Sequence, residues 1–99
     1  MNININSVHF KADKNLTAFI NEKVIKLGSM YDGVIGSEVT LKVENTETPE
    51  NKITEIRLII RGNDLYAKKQ CKTFEEATDN AVDALRKQLT KHKNKIKSR

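Results

Sequence analysis

Polar and apolar positions alternate strictly through Asn2, Ile3, Asn4, Ile5 and Asn6, which predicts a strand with one dry and one wet face. Val8 and Phe10 carry apolar character in the opposite phase, so a bulge or twist is expected near Ser7. From Leu16 the period changes. Leu16, Ile20, Val24 and Leu27 fall on one face of a helix, with Phe19 at its edge. Asp13 is placed to cap its start, and Gly28, the Asp32–Gly33 pair and Gly36 punctuate its end.

Three strands follow. Val39, Leu41 and Val43 alternate with Glu38, Thr40, Lys42 and Glu44. Residues 45–51, with the only proline at Pro49, read as a loop. Ile56, Leu58 and Ile60 then alternate with Glu55, Arg57 and Arg61, with Ile59 on the polar side, and Gly62, Asn63 and Asp64 mark a tight turn. Leu65, Ala67 and Cys71 define a fourth strand whose apolar face is broken by Lys69. The helical period returns at Phe74 and continues through Thr78, Ala81, Leu85, Leu89, His92 and Ile96, with Thr73 and Glu76 at capping-box spacing.

The order β-α-β-β-β-α predicts an α+β, two-layer fold. A helix joins the first two strands, so they should be parallel through a right-handed crossover, and the rest should form an antiparallel meander. Each helix has one apolar stripe. Both should therefore cover the same face of a four-stranded mixed sheet and leave the other face wet. Ninety-nine residues with 37% hydrophobic content and five aromatic residues suit one domain with a thin core. The single cysteine, and the lack of a basic and apolar leader or a membrane-length apolar run, point to a soluble cytoplasmic protein.

Charge changes the picture. Residues 86–99 hold seven of the 18 Lys+Arg and none of the 13 Asp+Glu. Residues 1–85 therefore carry 11 basic and 13 acidic groups, so the formal charge of +5 is a local property of one end. On the second helix, Lys87, Lys91 and Lys95 are expected along one side of the apolar stripe and Arg86, Lys93 and Lys97 along the other, with the acidic residues on the outer back. On the first helix Lys23 and Lys26 share the Phe19 flank, and the stem of Lys23 must lie along apolar surface. Such rows match phosphate spacing on folded RNA, where lysines give affinity and salt dependence without base readout. A solvated, partnerless helix end is the competing reading of the charge alone.

Other chemistries find little support. Cys71 has no spacing relation to His9 or His92, so a packed thiol is the better reading than a nucleophile, and no metal-ligand spacing is present. Asp79 and Asp83 are one turn apart near a helix N-terminus and need no acid–base role. Gly33 and Gly36 punctuate a turn and cradle no phosphate. No Trp or Phe anchors the second helix's C-terminal end to a membrane. No enzyme activity, cofactor, small-molecule substrate or membrane partner is expected.

Residues 86–97, from Arg86 to Lys97, resemble the C-terminal helix of the ribosome hibernation-promoting factor family in its short form. Lys23, Val24, Ile25, Lys26 and Leu27, followed by Asp32, are similar to that family's first helix at the same distance from the N-terminus. The resemblance spans the chain and implies the fold derived above. It also implies binding to the small ribosomal subunit between head and body, in the channel for messenger and transfer RNA, so that translation stops in stationary phase or stress. The contact candidates it implies are Lys23, Lys26, Arg86, Lys87, Lys91, Lys93, Lys95 and Lys97. Thr73 and Glu75 depart from the pattern, standing where the family often has Asp and Tyr. The chain is expected to be one ribosome-binding domain over 1–99, monomeric when free, without the additional C-terminal domain of the long forms. Two other readings stand beside this one: a general double-stranded-RNA module, and an interaction adaptor using the wet sheet face.

Overall fold

A computed structural model of the chain describes residues 1–44 and 47–97, the side chains of Ile96 and Lys97 excepted. It has β1 (Asn2–Ser7), α1 (Lys14–Gly28), β2 (Val34–Val43), β3 (Lys52–Ile60), β4 (Leu65–Cys71) and α2 (Phe74–Lys97). The sheet runs β1-β2-β3-β4, with β1 parallel to β2 and the remaining pairs antiparallel. This is the two-layer α+β arrangement that the periodicity predicts. Asn45 and Thr46 of the expected loop lie outside the described residues.

Register explains why one face is dry. Ile5, Val39, Ile56 and Ala67 lie opposite one another across the four strands and pack beneath the helices. One step along, Asn4, Glu38, Arg57 and Tyr66 line up on the other face. Leu16, Ile20, Val24 and Leu27 of α1 and Ala81, Val82, Leu85 and Leu89 of α2 complete the core. Burying each large side chain of this set contributes about 1.5–3 kcal/mol. The polar members are satisfied: the hydroxyls of Thr54 and Thr78 meet at 3.3 Å, and Ser37 donates to the Arg57 carbonyl at 3.0 Å.

The caps act as expected. Asp13 Oδ1 accepts from the Leu16 amide at 2.8 Å, and Thr73 Oγ1 accepts from the Glu76 amide at 3.1 Å. The expected bulge at Ser7 is absent. β1 pairs regularly through Ser7, and the Val8 amide still donates to the Leu41 carbonyl at 2.9 Å. The change of phase marks the strand's end instead. His9 takes the left-handed conformation (φ 64°), which turns Phe10 back to stack on Phe74 at 5.1 Å. The sheet's irregularity lies between Val34 and Gly36. β4 continues through Lys69, because an edge strand can turn that side chain out to water. Ile53 departs from the simple alternation: its phase is that of the wet face, yet it is only 2% exposed, with Lys42 and Gln70 opposite it.

Gly36 holds β1 close. A Cβ at this position would stand 2.8 Å from the Asn2 carbonyl oxygen. Gly36→Ala is expected to push β1 outward at a cost of roughly 1–3 kcal/mol, read as a lower denaturant midpoint with faster amide exchange confined to β1.

On the wet face, Lys42 Nζ lies 2.9 Å from a Glu55 carboxylate oxygen, and the Tyr66 hydroxyl donates to the other oxygen at 3.0 Å. The Lys42 hydrogen bond, reinforced by that of Tyr66, holds the Glu55 carboxyl below its ordinary value against the opposing effect of burial. A depressed carboxylate stabilises the fold above its unfolded value, about 4.3, and that contribution is lost as pH falls through the folded value. Glu55→Gln is therefore expected to cost stability at neutral pH and to converge on the parent only as pH falls through the depressed value of Glu55, as thermal melts across the acid range would measure.

Candidate nucleic-acid interface

α2 is held by its first half and exposed by its second. Ala77, Thr78, Ala81, Val82, Leu85 and Leu89 are buried, and beyond Leu89 no described side chain is. At about 1.5 Å per residue a helix of this length spans roughly 36 Å. In a molecule measuring 49 × 24 × 18 Å, its last two turns project past the layer they started on. Tyr31, from the segment between α1 and β2, meets the His92 ring edge-on at 5.4 Å and is the last aromatic support for that projection. Glu75 and Glu76 occupy the first turn, and the lysines gather at the far end, so charge complements the helix dipole at both ends.

Two contacts mark how α2 is rotated. Lys23 Nζ meets Asp79 at 3.3 Å, which turns that flank toward α1. Gln88 Nε2 donates to the Tyr66 carbonyl at 3.0 Å, which turns the opposite flank toward β4. At about 100° per residue, Arg86 and Lys93 share the α1 flank, while Lys91 and Lys95 share the β4 flank. Lys87 does not join the Lys91 and Lys95 row as expected. It lies further round on the outer back, with its side chain 77% exposed. Lys23 takes the anticipated pose, its ammonium 5.4 Å from the Phe19 ring centre. The side chain of Lys97 lies outside the described residues.

The candidates fall into two groups. Lys23 pairs with Asp79, Lys26 with Glu22 at 3.4 Å, and Arg86 and Lys87 share Asp83 at 3.2 and 3.9 Å. Among the described residues, no ion pair engages Lys91, Lys93 or Lys95. The acidic residues were expected on the outer back of α2. Asp79 instead sits at the seam between the helices, and Asp83 neutralises the start of the basic segment. Asp83 lies three and four residues before Arg86 and Lys87, so its role was readable from spacing. The Lys23 pair depends on helix packing, which spacing does not reveal. Exposed Lys68 and Lys69 of β4 add positive charge beside the Gln88 flank, and strand periodicity alone gave no reason to join them to the helix.

Elsewhere the chemistry is self-contained. Cys71 is buried, its thiol pushed up by that burial, and Asn80 Nδ2 donates to its Sγ at 3.3 Å. A depression of about 450 Å³ on the wet sheet face is lined by Asn4, Asn6, Glu38, Thr40, Glu55, Arg57 and Tyr66. Its charged groups already face one another, Arg57 lying 3.6 Å from Glu38 and Lys42 beside Glu55.

A family model described as sigma 54 modulation protein / S30EA ribosomal protein matches residues 3–97. The chain belongs to the S30EA family. Proteins named ribosome hibernation promoting factor from Escherichia coli (strain K12) and Pseudomonas putida are each 30% identical to it. The first match covers 98% of both chains, and the second covers 99% of this chain and 92% of the other. A ribosomal subunit interface protein from Coxiella burnetii shares the fold, with a TM-score of 0.83 at 16% identity over 95% of this chain and 99% of its own. The N-terminal domain of Thermus thermophilus Protein Y gives 0.80 at 20% identity, over 93% and 99%. At the departures from the family pattern noted above, Thr73 supplies the cap that an Asp would supply, and Glu75 is exposed on the first turn of α2.

If this S30EA chain meets a polyanion with α2, Asp83 competes with phosphate for Arg86 and Lys87. Asp83→Asn is expected to tighten binding to a duplex RNA by up to about fivefold at low salt, measured by fluorescence anisotropy, with little change in melting temperature.

Proposed function

We propose that this protein binds the small ribosomal subunit, occupies its messenger and transfer RNA channel, and silences translation in stationary phase or stress. The observation that carries this reading is the projecting end of α2, where no ion pair among the described residues engages Lys91, Lys93 or Lys95. Membership of the S30EA family and relatives named for ribosome hibernation support the same partner. In this reading residues 1–99 act as one ribosome-binding domain in the cytoplasm.

The mechanism needs no chemical step. Lys91, Lys93 and Lys95, which no ion pair among the described residues engages, give the greatest gain on meeting phosphate. Lys23, Lys26, Arg86 and Lys87 must share or release a carboxylate, so each contributes less. Lys97 is the last of the proposed contacts. Contacts of this kind hold and position the protein, and its own volume excludes the RNAs that translation requires.

Cosedimentation with purified small subunits across a salt series tests the reading. Binding is expected to saturate at one copy per subunit, to weaken steeply with salt and to displace transfer RNA. Simultaneous Lys87, Lys91 and Lys95→Ala is expected to lower affinity and flatten the salt slope by about three or slightly fewer. A folded triple variant with unchanged affinity and slope removes this set from the contact. No binding at low salt refutes the ribosomal reading as a whole.

A further inference from the structure

β1 and β4 form the two edges of the sheet, and they are finished differently. β4 exposes Lys68, Lys69 and Gln70, and its Tyr66 carbonyl is taken by Gln88. Natural sheets blunt their edges with such charges and caps. β1 has no lysine, proline or bulge between Asn2 and Ser7. Its Asn2, Asn4 and Asn6 are exposed, and Ile3 and Ile5, on the helix side, are only half-buried.

The Val8 amide points inward to Leu41. In a parallel ladder alternate residues turn their backbone groups to the same neighbour, so Ile3, Ile5 and Ser7 turn theirs outward. An antiparallel partner must pair with those residues. The segment from Asn2 to Asn6 also reads the same in both directions. With a two-fold axis at Asn4, Ile3 lies opposite Ile5 of a second copy as a hydrogen-bonded pair, and Asn4 faces its own counterpart. Isoleucine then meets isoleucine beneath the helices, and asparagine meets asparagine on the wet face. Moving the axis to Ile3 or Ile5 would leave an isoleucine opposite Met1 or Ser7.

The surroundings suit the same partner. Since Lys23 and Asp79 turn one flank of α1 toward α2, the flank above the β1 edge carries Thr17, Asn21 and exposed Ile25, with Lys14 the one charge at the helix start. α2 packs over β3 and β4, so the cationic ends of two copies would lie at opposite extremes of the joined sheet. We propose that two copies of this chain associate by antiparallel β1–β1 pairing about Asn4, forming one continuous sheet. This departs from the monomer expected of the free protein and does not rest on the proposed function. An interface of this kind falls among small ones, below about 1,200 Å², so the dimer is weak and concentration-dependent.

Sedimentation equilibrium over a wide concentration series is expected to show the mass rising from 11.3 kDa toward twice that value. Asn4→Lys, at an exposed position, would set like charges face to face and hold the protein monomeric with its circular dichroism unchanged. Asn4→Cys tests the register, because facing residues of a non-hydrogen-bonded pair have Cα atoms about 4.5 Å apart, within disulfide reach. It is expected to cross-link on mild oxidation, whereas Asn6→Cys, facing Asn2 of the other copy, is not. A mass fixed at 11.3 kDa, a dimer that survives Asn4→Lys, or equal cross-linking of both cysteine variants overturns the proposal.

Discussion

The apolar seam between α2 and the strands beneath it sets where every charge on that helix points. Ala77 and Ala81 let the backbone approach closely, and Leu85 and Leu89 fill the space that follows. Rotating the helix by one residue would move its stripe by about 100°, exposing those leucines and driving charged groups into a core with no partner for them. The rotation is therefore fixed by burial. Once it is fixed, one flank must face α1 and the other β4, whatever the long side chains do.

Charge pairing is distributed along the same helix in a graded way. Through its first half the carboxylates of Asp79 and Asp83 are engaged with Lys23, Arg86 and Lys87. Beyond Lys87 the sequence supplies no acid at all. The wet sheet face follows the opposite rule: Glu38 with Arg57, and Glu55 with Lys42 and Tyr66, settle their charges within the face. The chain's excess of positive charge is thus gathered at one end of the molecule, and the broad sheet is largely self-neutralised.

The fold was legible because each element repeats its period long enough to be read, and the two caps named their own start sites. The errors came where a local pattern has two physical meanings. The phase change at Val8 can be a bulge or a strand end, and only the left-handed turn at His9 decides between them. Ile53 has the phase of the wet face, as its neighbours Lys42 and Gln70 do, and its burial cannot be read from that phase. The candidate lysines were legible as positions on a helix. Lys87 was placed a little too near its neighbours, since a step of four residues drifts round a helix by about 40°. Which of these cations is already occupied depended on how two helices meet, and that is a long-range fact.

The projecting end of α2 has a further consequence for the energy of the free protein. Lys87, Lys91 and Lys95 stand four residues apart in series, and like charges at that spacing disfavour a helix by about 0.2–0.5 kcal/mol per pair. Among the described residues no side chain after Leu89 is buried, so packing offsets that repulsion least there. A bound row of phosphates removes that repulsion and lets the backbone bonds of the last turns close more firmly. If a polyanion binds at this end of the molecule, its affinity would depend on whatever alters helicity there as well as on charge.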